Sequence, residues 1–186
     1  MRVFIAAELS DTLRREIARC QEQFEETGAD VKWVAPDNLH LTLKFLGEID
    51  DQQEEKLKAA VAAAVREIPS FEMRIEGIGA FPRTTGPRVV WLGVHQGAEK
   101  LVTLAGKVEQ ACEELGFPKE DRPFSPHLTI GRVRSRNQLA PLVKRLQVAE
   151  FRGSETVPVN RISLFESVLS PKGPAYTIRA EILLSA

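Results

Sequence analysis

The chain has 186 residues, of which 43% are hydrophobic and 27% charged, with a formal net charge of −1. This is the balance of a globular protein of one domain or two closely packed lobes. It excludes a uniformly basic nucleic-acid coat, but not a local basic groove, because steering depends on where charge sits.

Val3 to Ala7 is a short apolar run that predicts a buried strand. No signal-peptide layout precedes it, and no apolar stretch approaches the roughly 18–20 residues of a membrane helix. A cytoplasmic monomer with no membrane partner is the expectation. Ser10 can cap the next segment, where Leu13, Ile17, Cys20 and Phe24 stripe one face of a helix that Gly28 ends. Leu39, Leu41, Leu43 and Phe45 alternate with His40, Thr42 and Lys44, which predicts a strand with an apolar back and a polar front. Asp50 opens a second helix, with Gln53 placed for a capping box. A strand follows around Phe71 to Ile78.

The order then restarts. Val89 to Val94 predicts a strand, and Leu101, Leu104, Val108, Ala111 or Cys112, and Leu115 stripe a helix that Gly116 ends. His127 to Val133 is a strand, Asn137 to Leu146 a shorter helix, and Val157 to Leu184 two strands joined at Ser170–Pro174. Cys20 and Cys112 both fall in helices and read as small buried hydrophobes rather than a disulfide.

His40-Leu41-Thr42-Leu43 recurs as His127-Leu128-Thr129-Ile130, and the offset from 40 to 127 is 87 residues. The same offset carries Val3 onto Val90, Glu22-Gln23 onto Glu109-Gln110, and Ile75 onto Ile162. A constant offset through strand, helix and motif indicates internal duplication, roughly 1–80 and 88–168, within one bilobal domain spanning 1–186. The expected fold class is α+β. It comprises two pseudo-symmetric lobes, each a mainly antiparallel sheet with helices on the outer face, around a central cleft. Phe81–Pro87 is the expected lobe junction.

Period-2 geometry puts His40 and Thr42 on one strand face, and His127 and Thr129 on another. An imidazole can take or give a proton near neutral pH, and a hydroxyl can donate to a phosphate oxygen. Doubling the set supplies a base, an acid and two donors around one point. In-line displacement at phosphorus needs that layout. A duplicated fold with structural histidines is the bland alternative. Two histidines without Asp, Glu or Cys at ligand spacing make a poor zinc site, so no metal is expected. His95, whose repeat counterpart is Glu8, reads as a surface residue.

With these flanks the chain resembles the 2H phosphoesterases, and within them the RNA 2′,3′-cyclic phosphodiesterases, also called 2′-5′ RNA ligases. The resemblance runs through Arg2–Ala6, Trp33, His40–Gly47, Gly77–Pro82, Pro87–Trp91, Pro123–Arg132, Phe165–Ser167 and Gly173–Tyr176. It implies hydrolysis of an RNA 2′,3′-cyclic phosphate to a 2′-phosphate without metal, ATP or other cofactor, and a related 2′-5′ joining of ends. It implies His40 as proton donor, His127 as proton acceptor, and Thr42 and Thr129 as phosphate holders. The partner implied is an RNA or nucleotide carrying a 2′,3′-cyclic phosphate. A phosphodiesterase for another cyclic or 2′-linked nucleotide, and a non-catalytic RNA-end-binding module, are the competing readings.

Further RNA-binding candidates are Arg132, Lys44 and Tyr176. Lys44 shares the His40 face by alternation, and Phe45 belongs to the core. Arg132 is five residues past His127, so regular alternation puts it on the wrong face, and only a bulge or a strand end reconciles it with the resemblance. For Trp33, Phe124 and Tyr176, packing competes with base stacking. For Arg134 and Arg136 a solvated strand edge competes with phosphate contact, and Arg83 and Arg88 read as a basic rim.

Overall fold

The computed structural model describes residues 1–186. The first half of the chain runs β1 (Arg2–Ala7), α1 (Asp11–Glu25), β2 (Val31–Trp33), β3 (Leu41–Glu48), α2 (Asp51–Val65), β4 (Phe71–Met73) and β5 (Ile75–Arg83). The second half runs β6 (Gly86–Val94), α3 (Ala98–Glu114), β7 (His127–Val133), α4 (Leu139–Val148), β8 (Val157–Val159), β9 (Arg161–Ser170) and β10 (Gly173–Leu183). Both predicted caps form. Ser10 Oγ accepts from the Leu13 amide at 3.2 Å, and Asp50 and Gln53 close a reciprocal capping box at 2.7 and 2.9 Å. Each such cap is worth about 1 kcal/mol.

Two four-stranded sheets form the lobes, in the orders β10-β9-β1-β3 and β2-β7-β6-β5, with every pair antiparallel. Strands β4 and β8 make a separate two-stranded ribbon. The architecture is therefore α+β with two matched sheets. The repeat shows in the strand orders, because β9-β1-β3 in one sheet corresponds to β5-β6-β7 in the other.

The lobes do not divide the chain at the repeat boundary. Strand β9 belongs to the second half yet pairs with β1, while β5 of the first half pairs with β6. Helices cross as well. Helix α1 packs behind the β2-β7 sheet, where Phe24 stacks on Trp33 at 5.8 Å, and α3 packs beside α2 and β3. The Pro/Gly-rich stretch expected to join the lobes is instead the tip of the β5–β6 hairpin, inside one lobe. A single buried cluster of 38 residues runs under both sheets, so neither lobe has a core of its own.

Arg179 on β10 grips Glu54 on α2 through two hydrogen bonds of 3.0 and 2.9 Å, fixing that helix to the sheet edge. Both cysteines are buried and free, and burial pushes both thiols up to about 11. No helix is long and apolar enough to cross a membrane.

Candidate active site

The motif strands β3 and β7 lie beside each other where the two sheets meet. Strand β7 opens on its His-x-Thr pair and β3 opens one residue after His40, and each then breaks alternation at the equivalent residue. In β3, Ala6 pairs with Thr42 but Ile5 pairs with Lys44, which leaves Leu43 as an extra bulged residue. In β7, Trp91 pairs with Thr129 but Val90 pairs with Gly131, which leaves Ile130 bulged. A bulge puts two successive residues on one side and reverses the parity beyond it. Leu43 and Lys44 are accordingly both buried, as are Ile130 and Gly131.

That reversal corrects two expectations and resolves a third. Lys44 does not line the cleft. It is 3% exposed, and its ammonium donates to Glu109 Oε1 at 2.9 Å and to the Pro118 carbonyl at 2.7 Å. Phe45 is not core. It is 63% exposed on the His40 side, with its ring 5.9 Å from that of Phe4. Arg132, the repeat counterpart of Phe45, returns to the face that carries His127 and Thr129. Gln21 of α1 locks the second bulge, donating from Nε2 to the Ile130 carbonyl at 3.0 Å and to the Val34 carbonyl at 2.8 Å. Lys44→Ala is expected to lower stability by roughly 2–4 kcal/mol, because Glu109 loses its buried partner. The turnover of the protein that remains folded should stay near wild type. Denaturant unfolding alongside a rate measurement checks this.

The two histidines sit in unlike surroundings. His40 stacks on Phe4 with ring centroids 4.6 Å apart, meets Tyr176 edge-on at 5.2 Å, and has Phe165 at 5.9 Å. Burial among these rings lowers its pKa to about 4; a hydrogen bond to the Asn38 backbone opposes the shift, and the Arg14 charge adds to it. The unfolded chain therefore binds a proton that the fold rejects. This group's contribution to stability is full above the unfolded value near 6.5 and is lost as pH falls toward 4. His127 is more open, with only Phe81 edge-on at 5.2 Å. Its Nδ1 lies 2.7 Å from the Ser125 carbonyl. A carbonyl can only accept, so Nδ1 carries the proton and Nε2 keeps its lone pair in the neutral ring. Asn38 and Ser125 are repeat counterparts, so both rings are steered by the backbone two residues upstream.

Tyr176 lies on β10 in the first sheet and Arg132 on β7 in the second. Burial raises the Tyr176 pKa, and the Arg132 charge reaches across the cleft to oppose that rise. Tyr176 thus meets His40 edge-on and lies near enough to Arg132 to feel its charge. Trp33 packs on Phe24 and over Gly131, where any Cβ would come within 2.6 Å of the indole, so its role is packing. Phe124 packs partly buried against the core. Arg134 pairs with Asp30 at 3.0 Å. Arg83 and Arg88 are exposed on the β5–β6 hairpin, and His95 is exposed, as expected.

A sequence model of the 2′-5′ RNA ligase superfamily matches residues 3–169. The chain belongs to that superfamily. A relative named RNA 2′,3′-cyclic phosphodiesterase, from Methanothermobacter thermautotrophicus, is 38% identical over 95% of both chains. Another of that name, from Aquifex aeolicus, is 40% identical over 82% of this chain and 81% of the relative. Among solved structures, TT0787 of Thermus thermophilus has a TM-score of 0.82 at 30% identity, covering 99% of this chain and 98% of its own. The E. coli LigT structure complexed with 3′-AMP has a TM-score of 0.79 at 28% identity, covering 98% and 97%. The 2′-5′ RNA ligase superfamily match takes in both His-x-Thr motifs, both bulges and Arg132.

Proposed function

We propose that the chain hydrolyses RNA 2′,3′-cyclic phosphate ends to 2′-phosphates, with His40 as proton donor, His127 as proton acceptor, and Thr42 and Thr129 holding the phosphate. The observation that carries this reading is the duplicated His-x-Thr pair, presented by adjacent motif strands at the meeting of two pseudo-symmetric sheets. The names of the relatives point to the same substrate. Water loses a proton to the His127 Nε2 lone pair and attacks phosphorus. The bond from phosphorus to the ribose 3′ oxygen breaks, and that oxygen takes a proton from His40. The products are a 2′-phosphate and a 3′-hydroxyl. A 5′-hydroxyl in place of water would join two ends through a 2′-5′ bond, with no ATP consumed.

The fall in the His40 pKa has two consequences for a donor. A ring that binds protons weakly is a strong acid once protonated, which suits a poor alkoxide leaving group. It also has to acquire its proton near neutral pH, and the anionic phosphate of the substrate is the group that would raise its affinity. Thr42 and Thr129 stand one pleat from each histidine, within reach of the non-bridging oxygens.

The test is incubation of a 2′,3′-cyclic nucleotide with the protein in EDTA, followed by identification of the product isomer. Full activity with a 2′-phosphate product is expected. Loss of activity in EDTA with recovery on adding zinc would replace the paired-histidine mechanism with a metal site. A 3′-phosphate product would mean that the wrong bond breaks. Tight binding without turnover would favour the RNA-end-binding module.

A further inference from the structure

Lys32 sits at the middle of β2, the edge strand of the second sheet, and its Cα partner across the ladder is Arg132. Direct partners on antiparallel strands project to the same face. Val31 and Trp33 on either side are turned to the back, where Val31 is buried and both crowd the bare Gly131 position at 2.9 and 2.6 Å. Lys32 and Arg132 therefore share the front face, which carries His127 and Thr129. Both are exposed, and neither makes an ion pair. Two residues along, on the same side, the arrangement differs. There Asp30 neutralises Arg134 at 3.0 Å, so that carboxylate is already used.

Like charges set directly opposite on a sheet are unfavourable, which leaves this pair unexplained by the fold. A lone lysine on an edge strand can serve only to discourage strand addition. That role does not account for an arginine directly facing it on the cleft side. Two uncompensated cations side by side form an anion site, and Arg132 belongs to the cleft. The bulge at Ile130 sets the distance. Thr129 and Arg132 lie opposite Trp91 and Val89, only two residues apart on β6, so their backbones stand roughly 7 Å apart, with Lys32 beside Arg132 on the next strand. That is the scale of one sugar–phosphate repeat.

We propose that Lys32, together with Arg132, binds the phosphodiester immediately upstream of the terminal cyclic phosphate. The subsite lets the protein favour polynucleotide ends over mononucleotides. It rests on the function proposed above, since Thr129 must hold the terminal phosphate for the ruler to apply.

The experiment compares a 2′,3′-cyclic mononucleotide with a dinucleotide bearing the same terminus, and with that dinucleotide carrying a neutral methylphosphonate linkage. The ratio of kcat/KM for dinucleotide over mononucleotide should fall about tenfold in Lys32→Gln, the worth of one charge-assisted contact. In wild type the methylphosphonate should lose a similar factor, and combining it with Lys32→Gln should add little further. The salt dependence of the dinucleotide rate should also weaken in the variant. An unchanged ratio, or additive losses, would overturn the subsite. If wild type turned over neither substrate, the cyclic phosphodiesterase reading would fail, and binding would judge the subsite alone. A dinucleotide 2′-phosphate should then bind wild type more tightly than a mononucleotide 2′-phosphate, and Lys32→Gln should erase the difference. Equal affinities in wild type would overturn it. Gln keeps the first half of the aliphatic stem at an exposed edge, and an unchanged thermal midpoint separates these outcomes from misfolding.

Discussion

His40→Ala and His127→Ala are each expected to lower turnover of a 2′,3′-cyclic phosphate by about 10²–10⁴-fold, the usual range for one general acid or base. The reason is that each ring is held by the backbone two residues upstream, Asn38 for His40 and Ser125 for His127, rather than by another side chain. His127 makes one hydrogen bond, to the Ser125 carbonyl, and this leaves Nε2 free. His40 is packed between Phe4 and Tyr176, and its ring atoms are the polar part of an otherwise apolar cluster. Truncating His40 removes packing against Phe4, so a modest fall in melting temperature should accompany the kinetic loss, whereas His127→Ala should melt close to wild type. The double variant should lose little more than the worse single one, since groups that serve one transition state are strongly non-additive. Near-wild-type turnover by either single variant, measured on protein with native circular dichroism, would refute the paired mechanism.

Periodicity carried the reading of the chain as far as periodicity holds. The 87-residue offset and the apolar stripes located both motif strands and the helices α1 and α3, because burial on one face writes itself into residue spacing. The same rule failed two residues past each motif threonine. A bulge adds a residue without changing the composition of the strand, so Lys44 and Phe45 kept their apparent parity while their sides exchanged. Their chemistry offers no warning, since a lysine on a polar face and a phenylalanine on an apolar one are both ordinary. Arg132 did carry a signal, because its alternation contradicted its resemblance, and a bulge resolves that contradiction. The weave of the lobes was hidden for a different reason. A duplicated sequence specifies which strands are equivalent, but β5 and β9 could each close either sheet, and only packing decides that they cross over. Gln21 illustrates the limit at the site itself. It lies in a helical stripe next to Cys20, and nothing local marks it as the residue that holds the Ile130 carbonyl and so aims Arg132.

Polarity is the remaining question, and the pKa of His40 gives it a sharp test. A bell-shaped profile of kcat/KM requires only that the two rings share one proton, and it looks the same whichever ring holds it. The leaving group breaks that symmetry. A cyclic phosphate with sulfur at the 3′ position releases a thiolate, which needs no proton. If His40 is the donor, this substrate should partly rescue His40→Ala but leave His127→Ala inactive, because that variant still lacks its base. Each tenfold of rescue corresponds to about 1.4 kcal/mol of barrier that no longer needs an acid. The wild-type profile should simplify as well, since only the base then has to be in one protonation state. If the base were His40, the thio substrate would gain rate as pH rose through about 4, the value to which burial lowers that ring. Rescue confined to His127→Ala, together with a limb at about pH 4, would reverse the two roles. Rescue of neither variant would mean that both imidazoles act chiefly by holding the phosphate rather than by moving protons.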